Sequence, residues 1–171
     1  MTLAEQLGYA HKKPNLFQRA NRRFARTSFG AWMFAHTLRY GDKVMAKYGK
    51  GRTIPELVAG LPMVFVTSTG AKSGAKRTSA LLAVPAGEGL ALIGTNFGQP
   101  KTPNWYYNLH KHPDAEVRYR EKSVAVTARE VAPGPERQTI LRAARKIYAG
   151  YAAYEARITD RPIHVMVLEP T

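Results

Sequence analysis

The spacing of hydrophobic and polar positions changes partway along the chain. Between residues 14 and 48, apolar and basic side chains recur three or four positions apart, as they do on a helix. From Leu61 onward, short apolar runs alternate with turns that contain glycine, proline or charged residues, which is the pattern of β-strands. The chain therefore predicts an N-terminal helical extension over residues 1–60 and a strand-rich domain over residues 61–171.

Two helices are predicted to interrupt the strands of the second part. One has Thr102 as its N-cap and Pro103 as its first residue, and the other runs from Pro135 to about Gly150. We therefore expect an α+β fold in which a small, mostly antiparallel six-stranded barrel carries flanking helices. The predicted strands are 62–68, 77–85, 89–95, 115–121, 123–131 and 162–168.

The net charge of the chain indicates which kinds of partner to expect. The 171 residues have a net charge of +14, and residues 1–60 contain 11 Lys and Arg but only 3 Asp and Glu. Such an excess predicts an anionic partner, which could be a nucleic acid, a lipid surface or a polyanionic small molecule. No RNA-binding signature, zinc-finger spacing or helix-turn-helix pattern is visible, so we expect no nucleic acid.

Composition excludes several kinds of chemistry. Cysteine is absent, which excludes disulfides, thiolate metal sites and cysteine nucleophiles. The five histidines show no metal-ligand spacing, and we expect no metal site. No apolar run approaches 18 residues and the N-terminus lacks a signal-peptide pattern, so a cytoplasmic location is expected.

The extension contains a basic stripe that allows two interpretations. Arg19, Arg22, Arg23 and Arg26 recur at helical spacing, and a bulky apolar patch that includes Trp32 follows them. A helix of this kind can lie on an anionic lipid surface, here the inner face of the cell membrane. The other interpretation, which we favour, is a helix that packs on the domain and leaves its arginines in water.

The segment Thr69–Thr78 is the most informative motif. Two glycines permit a tight turn, and three cations and several hydroxyls fall within ten residues. Backbone N–H groups, point charges and hydroxyls together suit a bound phosphate or carboxylate. The order Lys72-Ser73-Gly74 does not match a Walker loop, and a strand rather than a helix follows. A solvated hairpin with charges for solubility is the alternative.

Two further groups could contribute chemistry. The loop Thr95–Asn108 joins a strand end to a helix start, offering a hydroxyl, free N–H groups and the flat rings of Phe97 and Trp105. Three tyrosines, at positions 148, 151 and 154, could line a pocket for a flat substrate and offer a phenolic proton. Ordinary core packing would explain Trp105, and interfacial packing would explain the tyrosines.

Taken together, the three groups resemble the deazaflavin-dependent nitroreductase family of actinobacteria. The resemblance covers residues 60–171 in order and closes on Val165-Met166-Val167-Leu168-Glu169-Pro170. It implies a split β-barrel of the FMN-binding type and coenzyme F420, an 8-hydroxy-5-deazaflavin with a phosphodiester and an oligoglutamate tail. It further implies an F420H2-dependent reductase that transfers hydride to an activated C=C, a quinone or a nitroaromatic acceptor, and a homodimer.

The resemblance also implies roles for individual residues. Lys72, Ser73 and Arg77 would hold the phosphate, and Thr95 would lie near the hydride-donating edge of the ring. Tyr151 is the candidate proton donor, and the substrate side would contain Tyr148, Tyr151, Tyr154 and Trp32. The full cofactor-binding set is Lys72, Ser73, Lys76, Arg77, Thr78, Ser79, Thr95, Asn96, Phe97, Gly98, Pro103, Trp105 and Asn108.

This chain departs from the family pattern at two positions. Ala71 stands where arginine is common, and Asn96 stands where some members have lysine, so fewer cations face the phosphate and tail. Lys76 and Lys101 could compensate. The alternatives are a related barrel that binds FMN or haem, and a peripheral membrane or carrier protein that binds anionic lipid through residues 14–48.

Overall fold

The computed structural model describes residues 1–25, 27, 30 and 54–171. The six described strands follow the predicted order, and a short 3₁₀ turn lies at Asn96–Gly98, before the helix that carries Trp105. The helices are α1 (Leu3–Leu7), α2 (Leu16–Ala25), α3 (Ile54–Ala59), α4 (Asn104–Lys111), α5 (Pro135–Ile147) and α6 (Gly150–Arg157). The strands are β1 (Met63–Thr69), β2 (Lys76–Ala86), β3 (Gly89–Ile93), β4 (Asp114–Tyr119), β5 (Lys122–Glu130) and β6 (Val165–Pro170).

The six strands close into a barrel in the order β1-β2-β3-β6-β5-β4. Every neighbouring pair is antiparallel, including the closing pair, in which Phe65 of β1 lies opposite Arg118 of β4. Closure gives each of the six described strands two hydrogen-bonded neighbours. The predicted fold class, an antiparallel six-stranded barrel with flanking helices, is confirmed.

Strand β1 separates the barrel interior from a cavity. Val64 and Val66 are fully buried in the interior cluster, as the alternation of side chains along a strand requires. Met63 and Phe65 lie on the opposite face and line the cavity. A second apolar cluster lies between α5, α6 and the outer faces of β2, β3 and β6.

The first residues of the chain pack into the barrel core. Leu3 and Leu7 of α1 are buried in the interior cluster. A capping box fixes the start of α1, because the Thr2 hydroxyl accepts from Glu5 N–H and the Glu5 carboxylate accepts from Thr2 N–H. The division into two parts at residue 60 stays a prediction, although these two leucines share the barrel's core.

Structure is described for only part of the predicted helix over residues 14–48. In that part α2 runs from Leu16 to Ala25. The expectation that its arginines lie in water is wrong for Arg22, whose guanidinium donates to the carbonyls of Ala59, Gly60 and Ile147 at 2.7–3.0 Å. These carbonyls lie at the C-terminal ends of α3 and α5, where a cation is favourable.

Two predicted helix boundaries are wrong. Helix α4 begins at Asn104, and Pro103 rather than Thr102 is its N-cap, with φ −66° and ψ 143°. Proline suits this position because it has no N–H to be satisfied. Helix α5 ends at Ile147 because Tyr148 is extended, with φ −145° and ψ 105°, and Gly150 begins α6 instead of ending α5.

Candidate active site

A cavity of about 540 Å³ lies against the outer face of the barrel. Its size falls within the range of small-molecule sites. Apolar side chains from β1, β2 and β3 line it, together with the polar loop after β3 and the three tyrosines. Lining side chains include Met63, Phe65, Leu82, Leu92, Thr95, Phe97, Lys101, Pro103, Trp105, Tyr148, Tyr151 and Tyr154.

The turn between β1 and β2 presents three cations beside the cavity. Gly74 has a left-handed φ of +67°, and its N–H donates to Gly70 carbonyl at 2.8 Å, which closes the turn. Lys72, Lys76 and Arg77 are exposed. None of the three pairs with a carboxylate within the described part of the chain. Two residues further along β2, Ser79 lines the cavity, so β2 connects the cationic turn to it.

Helix α4 is hydrogen-bonded to the cationic turn. The Asn108 side-chain oxygen accepts from Ala71 N–H at 2.9 Å, and its amide nitrogen donates to the Ser68 hydroxyl at 3.4 Å. One turn further along the helix, Lys111 Nζ donates to the Ala71 carbonyl at 2.8 Å. The same helix places Trp105 in the cavity wall. The turn and the tryptophan helix therefore meet in space.

The loop after β3 has an uncommon backbone. Asn96 and Phe97 have φ values of 45° and 57°, and Gly98 has 78°. A Cβ on Gly98 would lie 3.2–3.3 Å from atoms of Arg157 and Tyr154, so this position favours glycine for both conformation and space. Thr95, which is buried, begins the turn, and its side chain lies in the cavity rim.

The three tyrosines line the cavity together. Tyr148 and Tyr154 share a hydrogen bond between their hydroxyls at 3.1 Å, and the Tyr154 hydroxyl also donates to the Ala25 carbonyl. Tyr151, only 5% exposed, has its hydroxyl 3.4 Å from the Leu82 carbonyl, which is a long and weak contact. The ring of Tyr148 lies where any side chain on Gly150 would stand.

Burial keeps these phenols protonated. Desolvation, and then the neighbouring Tyr148, raises the pKa of Tyr151 well above its ordinary value of 10. The same two causes, in the same order, raise the pKa of Tyr154. Both side chains are therefore neutral hydrogen-bond donors at physiological pH, and neither forms a phenolate easily.

The structure divides the predicted site residues into three groups. The first group lines the cavity and the second forms the turn beside it. The third group does not line the cavity but contacts residues of the cavity wall or of the turn. The first is Thr78, Ser79, Thr95, Asn96, Phe97, Pro103, Trp105, Tyr148, Tyr151 and Tyr154. The second is Lys72, Ser73, Lys76 and Arg77, and the third is Gly98 and Asn108. Trp32 lies outside the described residues.

A carboxylate that the sequence analysis missed tethers α4 to the barrel. Glu130 of β5 accepts from the Tyr106 hydroxyl at 3.1 Å and faces His164 Nδ1 at 2.7 Å and His110 Nδ1 at 3.2 Å. Partial burial would raise the pKa of Glu130, but these hydrogen bonds outweigh it and hold the pKa below its usual value. No spacing along the chain signals this cluster, because its members come from three separate elements.

Comparison with known proteins assigns the family. The model of the F420H(2)-dependent quinone reductase family matches residues 38–170. The chain belongs to this family. It is therefore an F420-dependent oxidoreductase, as the resemblance predicted. An F420H(2)-dependent quinone reductase of Mycobacterium tuberculosis is 34% identical to this F420-dependent oxidoreductase over 109 residues, which are 63% of this chain and 72% of that protein.

Solved structures of similar proteins have the same split-barrel fold as this chain. An F420-H2 dependent reductase, FDR-A, has a TM-score of 0.57 and 38% identity, covering 63% of this chain and 94% of that one. A structure described as a domain-swapped dimer has a TM-score of 0.59 and 34% identity, covering 75% and 95%. The haem storage protein HutZ of Vibrio cholerae, at 13% identity and a TM-score of 0.52 over 70% and 91%, shows the fold alone.

The donor set of this site fits coenzyme F420. A phosphodiester and carboxylates need cations that are not already paired, and the β1–β2 turn supplies three within the described residues. A flat ring needs an apolar slot with a few polar groups at its edge, which Phe65, Leu82, Trp105 and the hydroxyl of Thr95 provide. When bound, the reduced deazaflavin supplies the hydride.

Proposed function

We propose that this chain reduces a quinone with F420H2, and that the cationic turn and the cavity bind the two ends of the cofactor. Lys72, Ser73 and Arg77 hold the phosphate in this proposal, and Lys76 lies beside them. The ring edge lies against Thr95, Pro103 and Trp105. The observation that carries the proposal is the pair of hydrogen bonds between Ala71 and α4, because they join the turn to the cavity wall.

The acceptor occupies the tyrosine side of the cavity in this proposal. A quinone carbonyl gains negative charge as hydride arrives, and a neutral donor placed there lowers the barrier. Tyr151 is such a donor. Its raised pKa makes complete loss of its proton unfavourable, so we expect its hydroxyl to stabilise the developing charge and water to supply the final proton. Enones and nitroaromatics are alternative acceptors with the same requirement.

A fluorescence titration with oxidised F420 tests cofactor binding. We expect saturable binding that weakens when Lys72 or Arg77 is replaced by alanine. Mixing the enzyme with F420H2 and a soluble quinone should then oxidise the cofactor, followed by absorbance. Failure of the wild-type protein to bind F420 would refute the proposal, and a purified protein with a bound flavin spectrum would select FMN instead.

We also propose a homodimer. Its support is the domain-swapped dimer described for a structure that is 34% identical to this chain. Light scattering should give twice the chain mass of 19.0 kDa at micromolar concentration. A mass of one chain under those conditions would contradict the dimer.

We further propose contact with an anionic membrane, which the exposed face of α2 favours. Leu16 and Phe17 are 83% and 67% exposed, and Arg19 and Arg23 are exposed beside them. Apolar and cationic side chains on one face suit the boundary between headgroups and acyl chains. Among the described residues, no helix has the length and apolar character needed to span a bilayer. A cytoplasmic location stays a prediction.

Sedimentation with lipid vesicles tests whether the protein binds an anionic membrane. We expect binding to vesicles that contain anionic phosphatidylserine, little binding to neutral phosphatidylcholine, and release by salt. Phe17→Ser should reduce binding, whereas Tyr107→Ser, which alters a half-exposed tyrosine of α4, should not. Equal binding to both vesicle types, or none, would contradict this proposal without affecting the reductase assignment.

A further inference from the structure

The cavity loop from Thr95 to Gln99 needs an external support. Three successive residues, Asn96, Phe97 and Gly98, have left-handed φ values. This conformation is unfavourable for residues with a Cβ and persists only where surrounding contacts enforce it. Within the loop, Gly98 N–H donates to Thr95 and Gln99 N–H donates to Asn96, and the Asn96 side-chain amide donates to the Lys101 carbonyl at 2.8 Å. Thr95 N–H donates to the Ile93 carbonyl of β3 at 2.9 Å, which ties the start of the loop to the barrel, whereas the bonds of the following residues stay within the loop and the residues just after it.

Arg161 connects both ends of this loop. Its NH1 donates to the Gly94 carbonyl at 2.9 Å, and its NH2 donates to the carbonyls of Thr95 at 3.1 Å and Gln99 at 3.0 Å. Its Nε donates to the Gln99 carbonyl as well, at 3.3 Å. The guanidinium therefore bridges the residue that enters the loop and the residue that leaves it. In the described part of the chain, Arg161 pairs with no carboxylate.

The position of this loop in turn determines two parts of the cavity lining. Thr95 stands at the rim assigned to the cofactor, and the ring of Phe97 packs edge-on against Tyr154, 6.1 Å between centroids. Asn96 N–H and Phe97 N–H donate to no acceptor in the described structure. A ligand oxygen or nitrogen in the cavity could accept from them. A shift of the loop would move all of these groups together.

We propose that Arg161 is the positioning residue that holds the Thr95–Gln99 loop in its ligand-binding conformation. The proposal rests on the function proposed above. A planar guanidinium can donate to three carbonyls at once in a fixed geometry, whereas a lysine ammonium on a flexible chain cannot reproduce that arrangement. The identity of the residue should therefore matter more than its positive charge.

The first test measures the loop itself without any cofactor. Hydrogen exchange should be at least about tenfold faster at the Gly98 and Gln99 amides in both Arg161→Gln and Arg161→Lys, because the loop opens more often. Exchange in β1, β2 and β6 should not change. Arg129→Gln is the matched control, since Arg129 bonds Glu136 and Glu169 and does not line the cavity.

The second test measures ligand binding. Oxidised F420 should bind roughly tenfold more weakly to Arg161→Gln and to Arg161→Lys, and as tightly to Arg129→Gln as to the wild type. Wild-type loop exchange in a folded Arg161→Gln or Arg161→Lys protein would overturn the proposal. So would faster exchange throughout the barrel, which would indicate a general structural role. Failure of the wild type to bind F420 refutes the proposed function instead, and the exchange result still stands.

Discussion

At the scale of single residues, the Tyr151 hydroxyl is the group whose chemistry can be tested most directly. We expect Tyr151→Phe to lower turnover with F420H2 and quinone by roughly tenfold to a hundredfold, the usual effect of losing one donor to a developing negative charge. Affinity for oxidised F420 should stay unchanged, because the proposal assigns the hydroxyl to the acceptor and leaves the cations of the turn and the Tyr151 ring in place. Steady-state kinetics and the fluorescence titration measure the two quantities separately.

The control for this substitution is Tyr107→Phe, which removes a hydroxyl from a half-exposed tyrosine outside the cavity. It should leave both quantities unchanged. Equal turnover in Tyr151→Phe and the wild type would remove the proposed role. A loss of cofactor affinity in Tyr151→Phe would instead place the residue against the cofactor.

For Asn108 the hydrogen bonds suggest a second role, that of holding the β1–β2 turn. The resemblance suggested a side chain that borders the cofactor, but both of its polar atoms bond the β1–β2 segment. Asn108→Ala should lower the free energy of unfolding by about 1 kcal/mol and weaken F420 binding several-fold, since the Ala71 N–H loses its acceptor. Urea unfolding and the titration check this. Gln138→Ala, at an exposed position of α5, should change neither quantity. Unaltered F420 affinity in Asn108→Ala would contradict the turn-holding role.

At the scale of elements, the β1–β2 turn should respond to salt in a particular way. Its cations are exposed, so their attraction for a phosphate is screened over about 10 Å at 0.1 M ionic strength. We expect F420 affinity to fall as salt rises, and to fall less steeply in Lys72→Ala. Lys122→Ala removes an exposed cation from the opposite end of the barrel and should keep the wild-type slope. Affinity independent of salt would contradict phosphate binding at the turn.

Most elements could be predicted because the responsible interactions are local. Strand β1 begins with a short apolar run rich in β-branched and aromatic residues, and glycine-containing turns mark the ends of β2. Boundaries set by long-range packing could not be predicted. Tyr148 leaves the helix because its ring packs beside Tyr151 and Tyr154, and those contacts form only in the folded chain.

At the scale of the whole molecule, His11 should make stability depend on pH. Its Nε2–H donates to the Ala83 carbonyl at 3.0 Å. Burial, and then the positive charge of Arg22, lowers the pKa of His11 below 6.5. The unfolded chain therefore binds a proton at higher pH than the folded one does, so stability is full above pH 6.5 and falls as pH drops toward the folded-state pKa.

Thermal unfolding between pH 7.5 and pH 5 measures this effect. His11→Gln should show a smaller decrease in Tm over that range than the wild type. His112→Gln serves as the control, because the described structure shows no hydrogen bond from that ring. Parallel pH profiles for His11→Gln and the wild type would rule out the contribution of His11.

The sequence by itself determined the barrel, the cationic turn, the cofactor class and the three tyrosines. Each depends on neighbouring residues or on a family pattern that can be read along the chain. Only the tertiary structure decided that Asn108 binds the turn, that Arg22 caps two helices and that Arg161 bridges the cavity loop. In each case a side chain satisfies backbone groups 37 to 125 positions away, and burial makes an unsatisfied carbonyl or N–H costly wherever its partner lies in the sequence.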